Sequence, residues 1–250
     1  MSDVAIIGGS ALPSLNKMQM IEEYDIETPY GATSAPLQKG LFAGREIVFL
    51  DRHGITRTTP PHKINYRANI WALKELGIKY IVGISIVGGI RADMTPGHFA
   101  FPDQLIDYTY NRPATFFEDD FNFNRHIDFT YPYCRQLHSK LVDAAQELGL
   151  NFSDDATYAV TQGPRFETVA EVNLLERDGC DIIGMTAMPE AVLARELEMN
   201  YACVAIVGTK AAGRSDGFNV DVKKMQQVVD ASMKQMFDLL ACLIKNLDVN

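Results

Sequence analysis

The feature that most constrains this chain is a recurrence. Short runs of apolar, often β-branched residues each stop on a glycine, a hydroxyl or a cation, and stretches of helical period lie between them. Val4-Ala5-Ile6-Ile7 stops at Gly8-Gly9-Ser10, residues 46–50 at Asp51-Arg52-His53-Gly54, and residues 80–87 at Gly88-Gly89. Residues 158–161 run into Gln162-Gly163-Pro164-Arg165-Phe166-Glu167, 181–185 into Thr186, and 201–207 into Gly208-Thr209-Lys210. Runs that are apolar on both faces fit strands covered on both sides by helices, and their alternation with helical stretches fits an α/β fold. In such sheets ligands bind beyond the carboxyl ends of the strands. The donors that recur there, Ser10, Arg52, His53, Ser85 and Thr186, therefore mark a candidate site for an anion and a small organic ligand.

The stretch 180–195, CDIIGMTAMPEAVLAR, concentrates this logic. A short buried strand over 181–185 ends at Thr186. Pro189, at home in a first helical turn, then opens a helix that carries Glu190 and runs to about residue 199. Such a junction aims the Met185 thioether, a hydroxyl and backbone N–H groups at one spot, and a helix N-terminus favours negative charge. Further strands are expected over 37–41 and 101–110, and helices over 64–76, 132–150, 168–177 and 220–247. Trp71 and the methionine stripe of the last helix read as core. Residues 24–38 read as a loop, 111–132 as a long aromatic loop containing His126, and 213–220 as a mobile segment. A loop of the 111–132 length is usually functional or an interface.

At 250 residues the chain fits one α/β domain, 1–250. A net charge of −9 argues against nucleic acid or an anionic membrane as partner. The four cysteines, 134, 180, 203 and 242, lie far apart without metal-ligand spacing, so neither a disulfide frame nor a metal is indicated. The chain enters a strand directly, without a charged leader, and no apolar run reaches the length of a membrane span, so a cytoplasmic location is expected. There is no GxGxxG, no P-loop and no GxSxG elbow.

Six stretches taken together carry a resemblance: IIGGS (6–10), DRHG (51–54), HKINYRANIWALKELG (62–77), VGGIR (87–91), QGPRFET (162–168) and GMTAMPEA (184–191). In that order, and across nearly the whole chain, they resemble the purine nucleoside phosphorylase and methylthioadenosine phosphorylase family, in its trimeric branch. Within it, HIDFTYPY (126–133), ETVAEV (167–172) and LERDG (175–179) are most similar to bacterial methylthioinosine and 6-oxopurine nucleoside phosphorylases. The resemblance implies a twisted, mixed sheet with a partly closed barrel flanked by helices, in a homotrimer. It implies reversible phosphorolysis of a purine nucleoside to free base and a ribose 1-phosphate derivative, with inorganic phosphate as co-substrate and no cofactor. Phosphate would be held by Ser10, Arg52, His53, Ser85, Ile86 and Thr186. Met185 would meet the ribose, and Phe166, Val87, Gly88, Thr209, Lys210 and Ala211 would surround the base. His53 and Thr209 would be catalytic. Glu167, Val220 and His126 would set specificity, His126 by reaching a neighbouring subunit's site.

The chain departs from the family at one place. After the strand at 201–208 the family carries Asp, or Asn in 6-oxopurine readers; here the position is Thr209, and a second Asp of the adenine-specific enzymes falls at Ala211. Thr209 could still serve purine N7, and Lys210 could supply a cation to the leaving base if it points inward. Three readings follow: phosphorolysis of S-methyl-5′-thioinosine or another 6-oxopurine nucleoside, the same reaction on methylthioadenosine, or a nucleoside-binding protein without turnover.

Overall fold

The computed structural model describes residues 2–9, 18–215 and 220–247. Its strands are β1 (Val4–Gly8), β2 (Gln19–Tyr24), β3 (Leu37–Phe42), β4 (Arg45–Asp51), β5 (Tyr80–Gly89), β6 (Phe99–Tyr108), β7 (Phe152–Thr161), β8 (Ile182–Gly184) and β9 (Asn200–Lys210). Its helices are α1 (Tyr66–Glu75), α2 (Arg135–Glu147), α3 (Val169–Arg177), α4 (Ala187–Glu196) and α5 (Val222–Asn246). The strands form one mixed sheet, in the order β2-β3-β4-β1-β5-β8-β7-β6-β9. A further pairing of β9 back onto β5 closes the last five strands into a barrel.

β5 belongs to both the open sheet and the barrel, and its sequence shows why. Tyr80–Gly89 contains no charged residue and is buried over almost its whole length, as a strand covered on both faces must be. Its first half pairs with β1 in parallel, from Tyr80 to Gly83. Its last two residues pair with β8 in antiparallel sense. Between them residues 84–87 pair with β9 on one side and with neither β1 nor β8 on the other. The sheet splits there, and the split leaves strand backbone facing a cleft.

Side chains of each strand alternate between two cores. Ala5, Ile7 and Leu50 pack on the side of α1 and α4, whereas Val4, Ile6 and Phe49 pack on the side of α2 and α5. Each fully buried aliphatic side chain contributes on the order of 1.5–3 kcal/mol, so both layers hold the barrel and the open sheet as one unit.

Several expectations change in detail. β7 begins six residues before 158, and β5 and β9 extend through the glycines expected to end them. β2, within a stretch that carries no strand expectation, is an edge strand exposed along nearly its whole length. The regular part of α4 does begin at Pro189 as expected, with Met188 before it extended (φ −115°, ψ 138°). Residues 111–132 contain only one short 3-10 turn, Phe123–Arg125. Ser10, and residues 216–219 of the segment expected to be mobile, lie outside the described residues.

Candidate active site

A cleft opens at the split in the sheet and gathers most of the expected residues. Gly9, Arg52, His53, Ser85, Ile86 and Thr186 line one end; Phe166, Glu167, Met185, Val87, Gly88, Thr209, Lys210 and Ala211 continue it; Val220 and Met225 also border it. His126 is not part of it. That residue lies in the exposed loop, edge-on to Phe121 and Phe123 at 5.1 and 5.4 Å between ring centroids.

Arg52, the residue after β4, is 0% exposed. Its Nε and Nη2 donate to the two carboxylate oxygens of Glu190 at 2.8 and 2.6 Å, and its Nη1 donates to the Ile84 carbonyl at 2.8 Å. Ile84 lies in the split of the sheet, so its carbonyl is free to take an arginine in place of a strand. Tyr201 donates its hydroxyl to the same Glu190 at 2.8 Å. It reaches across Gly83, where a Cβ would stand 2.2 Å from the phenol oxygen. Burial alone would push Arg52 toward neutrality, but the Glu190 carboxylate outweighs it and the guanidinium's affinity for its proton rises. Among the described residues three of its five N–H groups are engaged, on a side chain that lines the cleft.

His53 follows. Its Nδ1 lies 2.8 Å from the Thr59 carbonyl, which can only accept, so Nδ1 carries the proton and Nε2 is the ring's acceptor. Burial holds its pKa below the ordinary value, which keeps the ring neutral near pH 7. Ser85 and Thr186 bring two hydroxyls within 3.3 Å of each other from β5 and from the head of α4. Thr186 occupies the N-cap position without capping its helix, so its hydroxyl remains available to the cleft. The Cys203 thiol donates weakly to Ser85 Oγ at 3.8 Å, and burial pushes its pKa up to about 12, so it stays a thiol.

The other end is built from loops. Gly163 adopts φ +61° against Met185, whose sulfur would stand 2.5 Å from a Cβ at that position. Thr168 and Glu171 form a capping box that starts α3 and fixes where the Phe166-Glu167 loop ends. Glu167 accepts a hydrogen bond from Thr161 Oγ1 at 2.7 Å, and burial raises its pKa above the ordinary carboxyl value. Phe166 is 44% exposed. Thr209 sits opposite Gly88 at a register shift between β5 and β9, and its hydroxyl donates to the Lys210 carbonyl at 3.2 Å.

A family model described as the phosphorylase superfamily matches residues 3–245. The chain belongs to the phosphorylase superfamily. It is 50% identical over 241 residues to a probable S-methyl-5′-thioinosine phosphorylase of Pseudomonas syringae, covering 96% of this chain and 98% of that one. It is 44% identical over 254 residues to a 6-oxopurine nucleoside phosphorylase of Pyrococcus furiosus, covering 98% and 91%. Among solved structures it superposes on a Schistosoma mansoni methylthioadenosine phosphorylase in complex with adenine with a TM-score of 0.93, at 29% identity, covering 99% and 93%. The chain is thus a pentosyltransferase of the purine nucleoside phosphorylase type, and its barrel fold is that of this phosphorylase superfamily member.

One feature of this phosphorylase differs from the sequence reading. Lys210 does not aim a cation at the base: its Nζ donates to the carbonyls of Arg91 and Ala92 at 3.1 and 2.7 Å. The continuous helix of α4 starts at Pro189, after the extended Met188, where the sequence reading opens it. The sequence did not single out the Glu190–Tyr201 support behind Arg52, nor Met225 beside Val220. The signal for Glu190 was its charge in the otherwise apolar run AMPEAVLA. Tyr201 gave none.

Proposed function

We propose that the chain catalyses reversible phosphorolysis of a 6-oxopurine nucleoside, S-methyl-5′-thioinosine foremost, to the free base and 5-methylthioribose 1-phosphate. The observation that carries this reading is Glu167, a carboxylate beside Phe166 at the loop-built end of the cleft. A 6-oxopurine presents an N1–H donor, which an ionised Glu167 accepts. A 6-aminopurine presents a bare N1 acceptor, which meets the same carboxylate with repulsion and an unmatched lone pair. The names of the relatives support the same substrate class.

In this reading phosphate occupies the end lined by Arg52, His53, Ser85, Ile86 and Thr186, and the Ser10 hydroxyl is a further donor to it. Neutral His53 offers Nε2 to a phosphate O–H, while Arg52 and the hydroxyls donate to the oxygens. As the C1′–N9 bond stretches, positive charge grows on the ribose, and the phosphate both stabilises that charge and attacks it; the residues act by positioning and electrostatics. The departing purine gains negative charge, and Thr209 turns its hydroxyl from the Lys210 carbonyl to donate to N7. Met185 packs beneath the ribose. Val220 and Met225 give the 5′ group an apolar surround, which favours methylthio over hydroxyl. The molecule works as a homotrimer in the cytoplasm, with no cofactor. The exposed Phe121, Phe123 and His126 face a neighbouring subunit, and the four free cysteines fit a reducing compartment.

The test is base release by purified protein with phosphate and four nucleosides: methylthioinosine, methylthioadenosine, inosine and adenosine. The expected order places methylthioinosine first and both amino nucleosides last. Preference for methylthioadenosine overturns the role given to Glu167, and tight binding without turnover of any of the four leaves a binding protein.

A further inference from the structure

Arg112 lies outside the cleft, at the start of the long aromatic loop, and none of the roles above involves it. Its guanidinium is half-buried and bonds mainly to backbone carbonyls. Nη1 donates to the carbonyls of Met185 and Met188 at 2.8 and 2.6 Å. Nη2 donates to the carbonyls of Thr161 and Gln162 at 3.2 and 2.8 Å, and Nε donates to Gln162 Oε1 at 3.1 Å. Tyr66, at the head of α1, places its ring 5.7 Å from the guanidinium carbon and its hydroxyl 3.5 Å from Nη1. Burial lowers the pKa of this arginine, yet its usual value is so high that it stays charged.

The acceptors fall in two chain segments. One runs from the end of β7 into the loop carrying Phe166 and Glu167. The other is the β8–α4 junction carrying Met185 and Thr186. These segments line the cleft, and the extended Met188 turns its carbonyl toward Arg112 and away from helical bonding. A planar fork with five donors in fixed directions can span two segments at once; an ammonium on one nitrogen cannot. An apolar side chain in its place would leave those four carbonyls without this donor, so the guanidinium is what ties the two segments together here.

We infer that Arg112 is a positioning residue that sets the spacing between the base loop and the sugar segment, and so holds Glu167 and Met185 in one productive geometry. The inference rests on the proposed phosphorylase reaction and deepens it. A displacement of about 1 Å in groups that orient a substrate can cost on the order of 100-fold in rate.

The experiment compares wild type, Arg112→Ala and Arg112→Lys by turnover per folded molecule, by the ratio of 6-oxo to 6-amino nucleoside turnover, and by the response to guanidinium at concentrations that leave the fold intact. The expected result is a fall in kcat on the order of 100-fold for Arg112→Ala, with a narrowed oxo-to-amino ratio. Added guanidinium restores part of the turnover in Arg112→Ala and none in wild type, and Arg112→Lys stays impaired. If Arg112→Ala does not fold, Arg112→Lys carries the same test through its oxo-to-amino ratio. Wild-type turnover and selectivity in a folded variant overturn the inference, as does a loss that leaves selectivity intact and ignores guanidinium. An inactive wild type would instead overturn the reaction itself, so the two failures are distinguishable.

Discussion

The two ends of the cleft are built on different principles. At the proposed phosphate end the polar groups come from the end of β4, the split in β5 and the head of α4, and they are buried: Arg52 and Glu190 are 0% exposed, and Ser85 and Thr186 are almost as enclosed. Their positions follow from sheet register, since Ile84 and Ser85 occupy the split between β1 and β8. At the proposed base end Glu167 and Phe166 ride on a loop held by Thr161, by the α3 capping box and by Arg112. A phosphate is the same in every reaction of this type, so its site can be locked into the core. A base differs between substrates, and a loop on a rigid scaffold can be retuned without disturbing the sheet.

The largest effect that breaks this contrast is expected at Glu190. Glu190→Ala leaves the Arg52 guanidinium buried without its carboxylate, which costs about 3–5 kcal/mol of stability. Urea unfolding should show that loss, and phosphate binding should fall with it because Arg52 no longer has a fixed direction. A change below about 1 kcal/mol, near the value of an exposed pair, would mean that this end is no more fixed than the loop end.

The same contrast explains what the sequence disclosed. β1, β4, β5 and β9 are apolar on both faces, and that leaves an unbroken run in the sequence. β2 is an exposed edge strand whose QMIEEY mixes polarities, so burial wrote no pattern there. Arg52, His53 and Thr186 were legible because each follows such a run, and Ser85 because it is the polar exception near the end of one. Glu190 was visible only as a charge in an apolar helix; its pairing with Arg52 spans 138 positions and depends on how β4 and α4 pack. Arg112 was not legible at all, since a loop arginine bonding to carbonyls has no sequence partner to betray it. Lys210 shows the reverse: its place after β9 suggested an inward cation, and the carbonyls of Arg91 and Ala92 draw it aside.

At the base end smaller, more selective effects are expected. Glu167→Gln replaces a charged acceptor with a neutral amide, and a hydrogen bond to a charged group is worth about 1.5–3 kcal/mol. The turnover ratio of methylthioinosine to methylthioadenosine should narrow accordingly, while the Tm moves little. Acidity should act on the same group more gradually. Because burial raises the Glu167 pKa, its carboxyl takes up a proton at a higher pH than an ordinary glutamate. Once protonated it is a donor toward N1, opposing the N1–H of a 6-oxopurine and matching the bare N1 of an aminopurine. The oxo-to-amino ratio should therefore fall as pH drops through that pKa. In Glu167→Gln the ratio should be flat over the same range, and an equal slope in the variant would assign the titration elsewhere.

The smallest effect is expected at the proposed 5′ surround, where Val220 and Met225 border the cleft and Met225 and Ile86 both lie against Gly208. Val220→Thr keeps the shape and exchanges a methyl for a hydroxyl. It should shift the ratio of methylthioinosine to inosine toward inosine by about 1 kcal/mol, roughly fivefold, because a group the size of one methylene is worth about that much in an apolar pocket. Met225→Leu conserves apolar character and approximate volume and should move the ratio less. Neither change touches Glu167 or Arg52, so the oxo-to-amino ratio and the KM for phosphate should hold. If Val220→Thr changed phosphate affinity instead of 5′ preference, the two ends of the cleft would be coupled through the start of α5, and loop-borne specificity could not be tuned independently of the phosphate site.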